Sequence, residues 1–102
     1  MATSLTTYNA TLAANTAASL VTVSSAHTVT VVSIEVSGGT SGGQVTFTKN
    51  SGSADVFSWS MSVAAGQLVV LDHKFFLPAG YVFKATSDTA GVQVSVSAAD
   101  QG

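Results

Sequence analysis

Val63-Ala64-Ala65-Gly66-Gln67-Leu68-Val69-Val70-Leu71-Asp72-His73-Lys74-Phe75-Phe76-Leu77-Pro78-Ala79-Gly80-Tyr81-Val82-Phe83-Lys84-Ala85-Thr86 holds the most apolar run of the chain and reads as two strands and two turns. Leu68 to Leu71 is apolar at every position, so that strand carries apolar side chains on both faces. Leu77-Pro78-Ala79-Gly80 fits a type I turn, with Pro in the second place and Gly in the fourth. Pro78 is the sole proline, and it sits where a strand must stop. Beyond it the parity is regular: Tyr81, Phe83 and Ala85 point one way, Val82, Lys84 and Thr86 the other. This reading makes the stretch a hairpin that the other strands cover.

Upstream, Val56 to Val63 alternates, with Phe57, Trp59 and Met61 on one face and Ser58, Ser60 and Ser62 on the other. That is a half-buried antiparallel strand offering three large side chains to a core. Gln44 to Lys49 alternates as well, between a Gly38–Gly43 hairpin loop and a polar turn at Asn50–Asp55. Thr28 to Ser37 is a further strand. Its apolar parity switches at Val31-Val32, which points to a bulge or to burial on both faces. Ala26-His27 reads as a turn with a solvated histidine, Ser19–Ser25 as a strand, and Ala13–Ala18 as a connecting loop. Downstream, a turn at Ser87–Gly91 precedes a last strand that sets Val92, Val94 and Val96 against Gln93, Ser95 and Ser97.

Seven or eight short strands, turns at close intervals and no substantial helix predict an all-β, two-layer antiparallel β-sandwich, jelly-roll or immunoglobulin-like. Residues 1–19 read as an N-terminal arm or edge segment, and residues 20–102 as the sandwich domain. The predicted core is Phe57, Trp59, Met61, Val69, Leu71, Phe75, Tyr81, Phe83, Val94 and Val96.

Composition excludes several function classes. Charged residues make up 8% of the 102, where roughly 25% is usual. There is no arginine, and the cations are Lys49, Lys74 and Lys84. Nucleic-acid binding draws on phosphate neutralisation, so no nucleic-acid partner is expected. No apolar run approaches the ~20 residues of a membrane span, and no basic patch suits a membrane surface. Without cysteine there is neither a disulfide nor a thiolate metal site. The first residues lack the pattern of a signal peptide, so synthesis in a cytoplasm is expected, and Asn9-Ala10-Thr11 reads as a chance glycosylation match.

No motif carries a chemistry. Gly39-Thr40-Ser41-Gly42-Gly43 matches G-x-S-x-G, yet the nucleophile elbow needs a helix to follow, and a strand follows here. Asp72-His73-Lys74 is the one titratable cluster. In a strand its middle member faces away from the other two, so Asp72 and Lys74 form an exposed pair and His73 is partly buried. The histidines and carboxylates show no metal-ligand spacing. No catalytic residue, cofactor or metal is expected, and the chain is read as a non-enzyme.

Four blocks carry a likeness of rhythm and turn chemistry: Thr28 to Val36, Ala64 to Asp72, Leu77-Pro78-Ala79-Gly80-Tyr81, and Ala90 to Ser97. Over about Leu20 to Ala98 the chain resembles small β-sandwich virion structural proteins of tailed phages, of the capsid decoration (cement) type. The resemblance implies a homo-oligomer, a trimer first, on the capsid surface, with the major capsid protein or other virion proteins as partners. A tail, neck or fibre-attachment part is the alternative within the virion, and a receptor- or carbohydrate-binding module the alternative outside it.

The residues themselves point to one surface. Phe76 shares parity with Leu68 and Val70, opposite to Phe75, so a second apolar face needs a cover. The N-terminal segment or another subunit would supply it. The expected contact surface is Leu5, Tyr8, Leu68, Val70 and Phe76.

Overall fold

A computed structural model of the protein describes residues 3–72 and 74–101. It contains nine strands: β1 (Thr3–Thr11), β2 (Ala18–Thr22), β3 (Thr28–Ser37), β4 (Gly43–Asn50), β5 (Asp55–Val63), β6 (Leu68–Leu71), β7 (Phe75–Leu77), β8 (Val82–Ser87) and β9 (Gln93–Gln101). No helix occurs among the described residues. Sheet A runs β1-β9-β3-β6, with β7 also on β3, and sheet B runs β2-β8-β4-β5. All the strand pairs are antiparallel.

Strands β6 and β7 pair with successive parts of β3, so they are halves of one interrupted edge strand. Counted that way, the two sheets have eight strand positions in the orders 1-8-3-6 and 2-7-4-5. This is jelly-roll connectivity, one of the two sandwich types expected. Among successive strands only β4 and β5 are hydrogen-bonded neighbours within a sheet.

That connectivity corrects two readings. The stretch from Val63 to Thr86 is not a hairpin: β6 and β7 lie in sheet A and β8 in sheet B, and the chain crosses between layers at Pro78. The turn there is also displaced by one residue. Tyr81 N–H donates to the Pro78 carbonyl at 3.1 Å, which puts Gly80 third, at φ +82°. A third residue of positive φ is the type II requirement, and glycine meets it without strain.

Gly38–Gly43 is likewise a crossing between layers rather than a hairpin loop. Gly42 N–H donates to the Gly38 carbonyl at 2.8 Å, and a Cβ on Gly38 would lie 1.9 Å from the Ala64 carbonyl oxygen. The glycines let this loop pack against the β5–β6 turn.

The core forms where the inner faces meet. Val29, Val31, Ile34 and Val36 of β3 and Val94, Val96 and Ala98 of β9 are buried from sheet A. Val45, Phe47, Phe83 and Ala85 are buried from sheet B. Aromatic rings join the layers: Phe75 of β7 meets Phe83 of β8 with centroids 5.0 Å apart, and Trp59 of β5 meets Phe75 edge-on at 5.7 Å. The register shifts between Val31 and Ser33 opposite β9, so Val32 is a bulge residue, as the parity switch indicated. A second irregularity between Ser19 and Val21 lets both Leu20 and Val21 be buried.

Of the predicted core, Phe83, Val94 and Val96 are fully buried. Trp59, Met61, Val69, Leu71, Phe75 and Tyr81 are partly buried against it. Phe57 departs from the expectation, with 54% of its surface exposed. Its parity is right, but it sits near the start of β5, an edge strand, with less of the sandwich over it. Lys49 Nζ lies 5.7 Å from its ring centroid and 4.8 Å from that of Phe75.

His27 is not solvated as expected. It is half-buried, with Nδ1 2.7 Å from Asp100 Oδ1 of β9. Asp72 and Lys74 are exposed and make no ion pair with one another. The reading of His73 falls outside the described residues.

Candidate functional site

The outer face of sheet A is set by the strand registers. In β1, Leu5 lies opposite Ala99 of β9; Ala99 lies opposite Thr30 of β3, and Thr30 opposite Phe76 of β7. Leu5 and Phe76 therefore stand in one cross-strand row, three strand spacings or ~14 Å apart. Leu5 is 82% exposed and Phe76 53%. Two further rows lie toward the other end of the sheet. One is Asn9, Ser95, Glu35 and Val70; the other is Thr11, Gln93, Ser37 and Leu68.

Four of the five expected contact residues thus share this face. Leu68, Val70 and Phe76 run down the β6–β7 edge, all exposed, as their common parity predicted. Leu5 joins them from the opposite edge through the register of two intervening strands. Tyr8 does not join them. It lies opposite the buried Val96 and packs against the core, because it is a step of three from Leu5 and an odd step along a strand reverses the face.

The registers also decide what can cover the stripe. The N-terminal segment was one candidate, but β1 lies at the far edge of sheet A, paired with β9 along all nine of its residues. The described residues that follow β1, up to residue 19, belong to the sandwich too. Leu12 is buried in the core, Ala14 bridges to Ser87, and β2 begins at Ala18. None of the described residues of this segment pairs with or bridges to β6 or β7, the strands that carry Leu68, Val70 and Phe76.

The outer face of sheet B differs in chemistry. Thr46 and Ser60 hydroxyls meet at 2.9 Å, Thr48 and Ser58 at 3.1 Å, and Asn50 Nδ2 donates to Asp55 Oδ1 at 2.8 Å. These cross-strand pairs satisfy one another and stiffen the β4–β5 hairpin. Val56 is the exposed large apolar residue that parity places there.

Ser41 is exposed in the crossing loop, with β3 before it and β4 after it. The strand-to-helix context of a nucleophile elbow is absent at this place. No group of three or more His, Asp or Glu side chains converges among the described residues.

No family model and no curated protein matches the chain. Among solved structures it is similar to a chain from the structure described as "Bacillus endospore appendages form a novel family of disulfide-linked pili". The TM-score is 0.62 at 19% identity, over 97% of this chain and 84% of that one. At this identity the likeness is one of fold, and it extends over nearly the whole jelly roll.

Proposed function

We propose that the protein is a structural subunit of a phage virion, a capsid decoration (cement) protein seated on the outer head surface. The observation that carries the reading is the apolar stripe of Leu68, Val70 and Phe76, with Leu5 in the row of Phe76, left exposed among the described residues. The outer face of a small sandwich is normally polar. An exposed apolar patch of this kind suits a protein–protein contact. The low charge and the lack of arginine leave few groups to desolvate at such a contact and little repulsion between copies. The partner in this reading is the major capsid protein or a neighbouring virion protein, with copies of the chain grouped as a trimer. The fold serves as a rigid body, and no chemical step is assigned to it. The resemblance of the four sequence blocks supports the head location; a tail or fibre-attachment part uses the same surface.

A second reading is favoured by the fold likeness. A jelly roll of this kind occurs in a protein described as a pilus, so this chain could repeat along a filament. With no cysteine it would do so without disulfide links.

Imaging distinguishes these readings. Particles made with and without the protein are compared by electron microscopy. Regularly spaced density missing from the head surface is the expected result. Density lost from the tail would move the protein to the alternative virion position, and filaments formed by the protein alone would select the second reading. Particles identical in both preparations would overturn the virion assignment.

A further inference from the structure

We propose that the end of sheet A's outer face away from Phe76 binds a neutral carbohydrate. A trough of about 390 Å³ lies there, lined by Asn9 and Thr11 of β1, Gln93 and Ser95 of β9, Glu35 and Ser37 of β3, and Leu68 at its rim. The volume lies within the range of small-ligand pockets. The trough shares Leu68 with the apolar stripe and lies away from the row of Leu5 and Phe76. Ser95 and Ala99 are four residues apart on β9, a distance of ~14 Å along the strand.

The chemistry selects the ligand class. Asn9 and Gln93 each offer two N–H donors and one carbonyl acceptor, and the serine and threonine hydroxyls do both. The Glu35 carboxylate can accept from two adjacent hydroxyls at once. The side chains of Asn9, Glu35 and Gln93 make no hydrogen bond or ion pair with other groups among the described residues. Exposed as they are, these groups can exchange water for a ligand's hydroxyls, unlike the paired hydroxyls on sheet B.

Other ligand classes fit less well. No lysine lines the trough, so nothing balances an anion, and a single carboxylate does not make a cation site. Leu68 is the one large apolar side chain outside the sheet interior, too little for an apolar ligand. A peptide adding as a strand needs an open sheet edge. The trough instead lies across β9 and β3, whose backbones are already paired on both sides. A pyranose ring presents hydroxyls around its rim and C–H groups on its face, which matches amides and a carboxylate beside one leucine.

The test is a chemical-shift titration of isotope-labelled protein. The probes are glucose, galactose, mannose, N-acetylglucosamine and their disaccharides, with inorganic phosphate as the anionic control. The expected result is a saturable shift of amides around Asn9, Glu35 and Gln93 with at least one saccharide, and none with phosphate. Glu35→Gln and Gln93→Ala should each weaken that binding about tenfold, the loss typical of one hydrogen bond to a charged or otherwise unpaired group. Thr46→Ala, on the opposite sheet, should leave it unchanged. Both substituted positions are exposed, so the spectrum away from the trough reports that the fold is intact. No shift with any saccharide, equal shifts with phosphate, or full binding by both trough variants would overturn the proposal.

Discussion

At the scale of single residues, parity along a strand proves informative about direction and silent about depth. Phe57 and Phe83 both point inward, yet Phe83 is fully buried while half of Phe57 meets solvent. Phe83 packs against Phe47, with centroids 5.7 Å apart and rings nearly parallel, and against Phe75. Truncating it leaves a cavity in the centre of the sandwich. Phe83→Ala should therefore cost ~3–5 kcal/mol of stability. Phe57 loses mainly its contact with Trp59, and an aromatic pair is worth ~0.5–1.5 kcal/mol beyond area. Phe57→Ala should accordingly cost well under half as much as Phe83→Ala. Urea titration of the two variants decides this, and equal losses would show that the ring of Phe57 is part of the core in solution.

At the scale of elements, the faces of β9 and β5 and the bulge in β3 were legible, because a strand with one buried face must alternate and a bulge must break that alternation. Which strand lies beside which was not legible. Period 2 carries no information about neighbours, and most connections here cross between sheets. The same limit divides the candidate surface. Leu68, Val70 and Phe76 share a parity visible in the sequence, whereas Leu5 reaches their face only through the register of β1 on β9 and β9 on β3. Tyr8 was grouped with Leu5 by proximity in the chain, and the pleat turns it inward. The trough residues Asn9, Glu35 and Gln93 come from three strands far apart in sequence, and no local signal joins them.

The bulge itself yields a test. Val32 is the extra residue, so Val31 pairs with Ala98 and Ser33 with Ser97. Deleting Val32 leaves Val31 and Ile34 facing the core on either side of Ser33. Deleting Ser95 from β9, where the pairing is regular, turns Val96 and Ala98 away from the core. The first variant should melt cooperatively by circular dichroism and the second should not. Two cooperative melts, or none, would contradict the assigned register.

At the scale of the whole molecule, the account divides one sandwich into parts with different work. The inner faces supply the core, the outer face of sheet B a self-satisfied polar surface, and the outer face of sheet A the exposed apolar stripe on which the proposed contact rests. The molecule measures 42 × 26 × 17 Å, thin across its two layers, so a face of sheet A is a large share of its surface. A subunit held by such a face can tolerate a small core, because association adds stability to the folded state.

Phe76→Asp tests the central claim. Phe76 lies outside the core, 53% exposed, so the free variant should fold and melt close to the unaltered protein. In a contact, an unpaired buried charge and a lost aromatic should together cost more than ~2 kcal/mol. The measurement is occupancy on particles stripped of the protein, read by co-pelleting, beside the thermal melt of the free protein. The account predicts a normal melt with strongly reduced occupancy. Full occupancy with a normal melt would contradict it.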